Sequence, residues 1–519
     1  MNDLAAQISN KSEDSSQQAR IPAPATHNIG TTHDVDAQKL AHAPSVDLES
    51  DHSTLRLGNP PGNEDLNPKT SGEQADEKKF FHKPFFYKLI GVLVISVIVG
   101  TVLGLTLSDR ASQPGTTPAP TPTPTPAPTS LQRDFIIPLI QSRIASTSFS
   151  NSSSPQSQAL DWILTDPYST ENGLSEDRLV QRFALTTFWY STNGTYWSHG
   201  GWFNSTNECL WGGGWYTISC SPEFKVEGLQ AYADSISGRI PIELCLLNQL
   251  TSLLLYGNQL TGSFPSELGL LTQLEDLILT SSQLTGSLSS ELGLLNQLLD
   301  LNLYENQLTG SLLSELGLLT QLTYLSLAYN LQLTGSLPSE LGLLTQLLGL
   351  NLYDSELTGT FPSELGLLTQ LLYFDLENNQ LTGSLPSQIG LMTKLTRLDL
   401  DVNQLTRSLP FHIGLMTKLT WLDLSHNQLA GSIPSEVGLL TQELHAFWLF
   451  DKRLTGSLPS ELGLMTLITE WWLYDNDLTG SVPFSLCSAL EVQIDCGEIA
   501  CTCCISGIFT IPRGICPSP

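Results

Sequence analysis

A pattern of 24 residues, L-x-x-L-x-L-x-x-N-x-L-T-G-x-x-P-x-E-L-G-x-L-T-x, recurs from about Val226 to Cys487 and leaves few folds open to this chain. Eleven units start at Val226, Leu250, Leu274, Leu298, Leu322, Leu347, Leu371, Leu395, Leu419, Leu444 and Ile468; those starting at Leu322 and Leu419 have 25 residues. Within each unit L-x-L has the two-residue alternation of a strand, so one face points inward and stacked units make a parallel sheet. A single unit is too small to fold alone. Leucines of neighbouring units, such as Leu253, Leu277, Leu301 and Leu325, must complete one another's core, and stability becomes a sum of unit and interface terms.

The Asn that closes the strand (Asn258, Asn306, Asn330, Asn379, Asn403, Asn427, Asn476) suits a buried ladder of amide to backbone hydrogen bonds. Gly262, Gly286, Gly310 and Gly335 allow the turn that follows. The Asn position departs to Asp234, Ser282, Ser355 and Lys452, and the Gly position to Arg407, so local irregularity is expected there.

With 51 acidic and 23 basic side chains the net charge is -28, which disfavours nucleic acid because phosphate binding needs clustered Lys and Arg. All nine cysteines lie at or after Cys209, which places the C-terminal part in an oxidising compartment.

Residues 1–88 are expected to be a disordered cytoplasmic tail; up to about residue 77 they hold no Trp, Tyr or Cys and no apolar period. Residues 89–107, LIGVLVISVIVGTVLGLTL, carry no charge over 19 residues and are expected to be a transmembrane helix. Lys78, Lys79, Lys83 and Lys88 precede it, so the N-terminus is expected in the cytoplasm of a single-pass protein, with the plasma membrane as its site. Residues 108–130 read as a Pro/Thr-rich stalk in extended polyproline II form. Sequons at Asn151, Asn193 and Asn204 fall on the outer side of that topology and are expected to be glycosylated.

The segment LTGSLPSELG after L-x-x-L-x-L-x-x-N resembles the plant-type leucine-rich repeat of receptor-like proteins, and the resemblance implies a second short strand after the bend. The layout of stalk, cap and Cys-rich end is similar to that of membrane-anchored leucine-rich-repeat proteins of diatoms. The expected fold class is thus an α/β solenoid: a superhelix over residues 226–486 with a parallel sheet on its concave face, disulfide caps and one transmembrane helix. The N-terminal cap is expected over 131–225, with helical apolar spacing in ALDWIL and LVQRFALTTFWYS and a disulfide between Cys209 and Cys220. The C-terminal cap, 487–519, carries Cys487, Cys496, Cys501, Cys503, Cys504 and Cys516, whose disulfide connectivity has 15 alternatives. Cys245, at a core position, is expected to be a buried free thiol.

No kinase, nucleophile-elbow, zincin or P-loop pattern occurs, so an enzyme is not expected, and neither a cofactor nor a metal. His412, His426 and His445 occupy different positions in their units and are not expected to share a site. The glutamates after the P-S pair, from Glu267 to Glu461, suit the positive end of a helical turn on the convex side.

Strand alternation places two columns on the concave face. Four residues before the Asn stand Asp375, Asp399, Asp423, Trp448 and Trp472; two before it stand Asp401, Phe450 and Tyr474. The aspartates are expected as a solvent-facing ladder that resists joint ionisation unless a basic group such as Arg397 relieves it. These eight residues are the expected ligand site, taking a cationic peptide or a cation-bridged glycan across the units from Leu371 to Ile468. The chain is accordingly expected to be a cell-surface recognition protein, receptor-like without a kinase domain. An extracellular peptide, protein or glycan is its expected ligand and a signalling co-receptor its candidate partner. The alternatives are adhesion to a cell covering and inhibition of secreted hydrolases.

Overall fold

The computed structural model describes residues 132–197, 202–203, 206–213, 216–232, 236–484, 491–495 and 499–500, all within the unit Pro120–Pro519. The expected tail, transmembrane segment and stalk, together with Asn204 and the cysteines from Cys487 to Cys516, lie outside the described residues. Among the described residues no helix is long and apolar enough to cross a membrane.

The chain enters through helices Arg133–Arg143, Pro155–Thr165, Pro167–Glu171 and Glu176–Ser191. Each of the last three begins where a side chain caps it: Ser154, Asp166 and Ser175 accept the N–H of Ser157, Ser169 and Arg178. Their apolar faces close on one another through Ile136, Ile140, Leu160, Ile163, Leu179 and Phe183. Arg182, fully buried among them, donates to Asp166 Oδ2 at 2.7 Å and to Glu208 Oε2 at 2.9 Å. Cys209 and Cys220 are joined by a disulfide, S–S 2.04 Å, and Trp202 and Trp211 pack together with ring centres 5.9 Å apart.

From here one sheet runs through the molecule. Its first three strands, Gly212–Gly213, Tyr216–Cys220 and Val226–Ala231, are antiparallel, and every later neighbour is parallel. Leu229, Leu253, Leu277, Leu301, Leu325, Leu350, Phe374, Leu398, Leu422, Phe447, Trp471 and Val492 lie side by side in register, all buried. Second strands after the bend, such as Gln259–Ser263 and Gln307–Ser311, form two further parallel sheets of five and six strands. Five-residue 3-10 turns, such as Ser266–Leu270, return the chain along the convex side.

The bend is held across units. Asn403 Nδ2 donates to Leu376 O of the preceding unit at 2.9 Å, and its Oδ1 accepts from Leu381 N at 3.0 Å. Asn258, Asn306, Asn330, Asn379, Asn427 and Asn476 repeat both bonds in their own units. Where Asn is replaced the ladder is broken: Ser282 Oγ, Ser355 Oγ and Lys452 Nζ are buried without a partner. Gly262 and its equivalents have positive φ, as the turn requires, and Arg407 takes the same left-handed conformation at φ 68°. Cys245 is a buried free thiol.

Candidate functional site

The concave face of the C-terminal units carries three columns rather than two. A residue two places before each member of the column that holds the aspartates shares its face: Gly349, Tyr373, Arg397, Trp421, Ala446 and Glu470 lie in register on successive strands. This outer column covers the next, Asn351, Asp375, Asp399, Asp423, Trp448 and Trp472. The expected solvent-facing ladder is therefore corrected. Asp375, Asp399 and Asp423 are at most 1% exposed, because long side chains on both flanks fold over short ones at a strand spacing of about 4.8 Å. Asp401, Trp448 and Phe450 are buried too, while Trp472 and Tyr474 remain part-exposed.

Each buried aspartate is anchored from its own strand. One oxygen takes the backbone N–H two residues on: Glu377 N to Asp375 at 3.0 Å, Asp401 N to Asp399 at 3.3 Å, Ser425 N to Asp423 at 2.9 Å. The other oxygen takes the outer-column residue where that residue can donate. Tyr373 Oη reaches Asp375 Oδ2 at 2.6 Å and Arg397 Nη2 reaches Asp399 Oδ2 at 2.8 Å. In the third strand the outer residue is Trp421, and both its Nε1 and Asp423 Oδ2 are left buried without a partner. Burial, and then the neighbouring Asp399, push the carboxyls of Asp375 and Asp423 well above the usual carboxylate range. Arg397 is the internal counter-charge, and its guanidinium also lies over the Trp421 ring at 4.4 Å. One oxygen each of Asp375, Glu377 and Asp399 come within 4.8 Å of one another, but in-strand donors already engage both carboxylate oxygens of Asp375 and of Asp399.

Toward the C-terminal end the columns become aromatic. Trp448 and Trp472 are stacked with ring centres 4.1 Å apart and planes 3° apart, Phe450 and Tyr474 at 4.6 Å and 10°, and Trp421 meets Trp448 edge-on at 4.4 Å. The stacked rings spend their faces on one another. Two groups sit beside this floor. His426 Nδ1 lies 2.8 Å from Asp401 Oδ1, which raises the imidazole's pKa, and Phe450 meets the ring edge-on at 4.8 Å. Lys452 is buried, and desolvation brings its ammonium down to about 7.

Of the eight expected ligand residues, the structure brings Trp448, Phe450, Trp472 and Tyr474 into one cluster and Asp375, Asp399, Asp401 and Asp423 into an adjoining acidic strip. Tyr373, Trp421 and His426 belong to the same surface, with Lys452 buried near Asp423 and Asp401, and none of the four was among the expected ligand residues. The signal for the first two was one step of strand alternation earlier in L-x-x-L. His412 stacks on Phe411 and His445 Nδ1 approaches Leu467 O, so the three histidines share no site. Asn151 and Asn193 are exposed. In the N-terminal half, Tyr232 stacks on Tyr256 at 4.3 Å, and Tyr304 and Tyr353 join their hydroxyls at 3.1 Å.

The Leucine Rich Repeat family model matches residues 249–271, 370–392 and 418–440. No curated protein matches the chain. Among solved structures, the Arabidopsis receptor kinase HAESA, in complex with the peptide hormone IDA and the co-receptor SERK1, is 30% identical with a TM-score of 0.50. That match covers 65% of this chain and 61% of HAESA. The plant peptide hormone receptor RGFR1, in complex with RGF2, is 32% identical over 50% of this chain and 42% of that one, TM-score 0.49. A leucine-rich-repeat protein of Leptospira interrogans is 32% identical over 50% and 69%, TM-score 0.39. The chain thus spans roughly two-fifths to three-fifths of the length of these plant receptors.

Proposed function

We propose that this leucine-rich-repeat chain is a cell-surface recognition protein that binds an extracellular ligand on the concave face of its units from Leu371 to Ile468. The observation that carries the reading is the rigid aromatic floor of Trp448, Trp472, Phe450 and Tyr474 beside an acidic strip, both delivered by successive strands of one sheet. Preorganised aromatic side chains lose little entropy on binding and are enriched at interface hot spots. The likeness to HAESA, a receptor solved with a peptide and a co-receptor, makes a peptide the first ligand class to test. Arg397 already neutralises part of the acidic strip, so the ligand contributes at most a modest positive charge.

In this reading residues 89–107 cross the plasma membrane once and residues 1–88 face the cytoplasm, as in a receptor-like protein without its own kinase and in membrane-anchored repeat proteins of diatoms. The bound state then passes to a signalling partner through the helix or tail. Affinity capture of the detergent-solubilised chain tests this. A cytoplasmic partner recovered only with ligand supports signalling, and capture that never recovers one opposes it. Deleting residues 1–77 separates the alternative of adhesion, because an anchor still works without the tail and a transmitter does not.

A further inference from the structure

The convex side carries a feature the concave site does not use. Leu270, Leu294, Leu318, Leu343, Leu367, Leu391, Leu415, Leu439 and Leu464 close successive 3-10 turns, and each is between 48% and 57% exposed. Three residues earlier in each turn stand Glu267, Glu291, Glu315, Glu340 and Glu364, then Gln388 and His412, and again Glu436 and Glu461. Side chains three apart in a 3-10 helix eclipse one another, about 6 Å apart along its axis. An apolar row and an acidic row therefore run side by side over the five units from Leu270 to Leu367.

The first unit shows what such a pair receives. There Glu243 and Leu246 occupy the same two positions, and both are covered by the N-terminal helices. Thr147 Oγ1 donates to Glu243 Oε1 at 2.8 Å and Gln156 Nε2 to Glu243 Oε2 at 3.1 Å. Leu246 packs on the cluster of Ile136, Ile140, Leu160 and Phe183. The helical cap thus packs on the leucine, and the carboxylate takes one bond from Gln156 of the second helix and one from Thr147 in the loop before it.

We propose that the row from Leu270 to Leu367 is a docking surface for an amphipathic helix of a partner protein, with one apolar ridge and flanking Lys or Arg. Strands of neighbouring units are about 4.8 Å apart and an α-helix advances about 5.4 Å per turn, so over a few turns one ridge residue falls near one leucine per unit. The charges agree as well, since five carboxylates border the row and no Lys or Arg occurs between Arg239 and Lys394. A second copy of this chain would bring two acidic rows together, which opposes it.

The test uses the full chain in phosphatidylcholine nanodiscs and a labelled synthetic 18-residue helix with one leucine ridge and lysine flanks, read by fluorescence anisotropy against empty discs. Binding is expected to weaken at least tenfold in Leu294→Ser/Leu318→Ser/Leu343→Ser and in Glu315→Gln/Glu340→Gln, and to be unchanged in Trp472→Ala. The leucines are exposed, so circular dichroism should show the fold retained. Equal binding to the triple leucine variant, equal binding of a helix with glutamate flanks, or no binding at all would overturn the proposal. Disulfide-linked homodimers of Leu318→Cys would overturn it too, by assigning the row to a second copy.

Discussion

Asp423 is the foremost carboxylate acting on the Lys452 ammonium, yet Asp423 Oδ2 and Lys452 Nζ are both buried without a hydrogen-bond partner. Lys452 stands where seven other units place the ladder Asn, so the unit starting at Leu444 gives up two inter-unit hydrogen bonds and buries a cation instead.

Lys452→Asn is therefore predicted to stabilise the units around it by about 2 kcal/mol, the scale of an unsatisfied buried polar group. The gain depends on pH. The Lys452 pKa falls from 10.5 to about 7 in the folded state, so the unfolded chain holds the extra proton between those values and wild-type stability rises with pH across that window. The advantage of Lys452→Asn should be full below pH 7 and shrink toward pH 10. Hydrogen exchange of the strands Trp421–Asp423 and Ala446–Trp448 at pH 6, 8 and 9.5 measures it; a constant difference would contradict the assigned burial.

The ladder predicts opposite effects at its filled and empty positions. Asn403→Ala leaves Leu376 O and Leu381 N without their side-chain partner and should cost about 3 kcal/mol locally, whereas Ser355→Asn should gain about 1 kcal/mol. Denaturant melts followed by exchange at the flanking strands are the readout, because long repeat arrays do not unfold as one step.

Asp300 predicts a pH effect in the other direction. Burial, with Asp276 on the next strand, raises its carboxyl to about 7, so the stability it contributes is present below about pH 4 and lost as pH rises toward 7. Asp300→Asn should match wild type in melting temperature at pH 4 and exceed it at pH 8. Equal curves at both would show that the carboxyl is solvated.

Much of this was legible in the sequence. The 24-residue period fixed strand, bend and turn, and the Asn ladder and the disulfide between Cys209 and Cys220 followed from residue type. Alternation also assigned Asp375, Asp399 and Asp423 to the concave side, but alternation gives direction and not depth. Their burial depends on Tyr373 and Arg397 folding over from the outer column, and on rings that stack across strands instead of facing solvent. The fate of Lys452 was equally hidden, since a departure from the repeat does not say whether a long side chain snorkels out or turns in.

Topology is open to a direct check. Asn151 and Asn193 are exposed, so glycosidase should lower the mass of the cell-made chain if the N-terminal cap faces the lumen and exterior. Residues Asn10-Lys11-Ser12 also form a sequon, and glycosylation there in place of Asn151 and Asn193 would reverse the proposed orientation.

Ligand is predicted to bind the aromatic floor of the concave face. Peptides recovered by screening the cell-surface chain should be titrated against wild type, Trp472→Ala, Tyr474→Ala and, on the convex side beyond the row from Leu270 to Leu367, Glu461→Gln. Both aromatic substitutions remove part-exposed rings at the end of the stacks, and each is predicted to lose at least tenfold in affinity with Glu461→Gln unchanged. Unaltered affinity in both aromatic variants, with circular dichroism showing an intact fold, would contradict it.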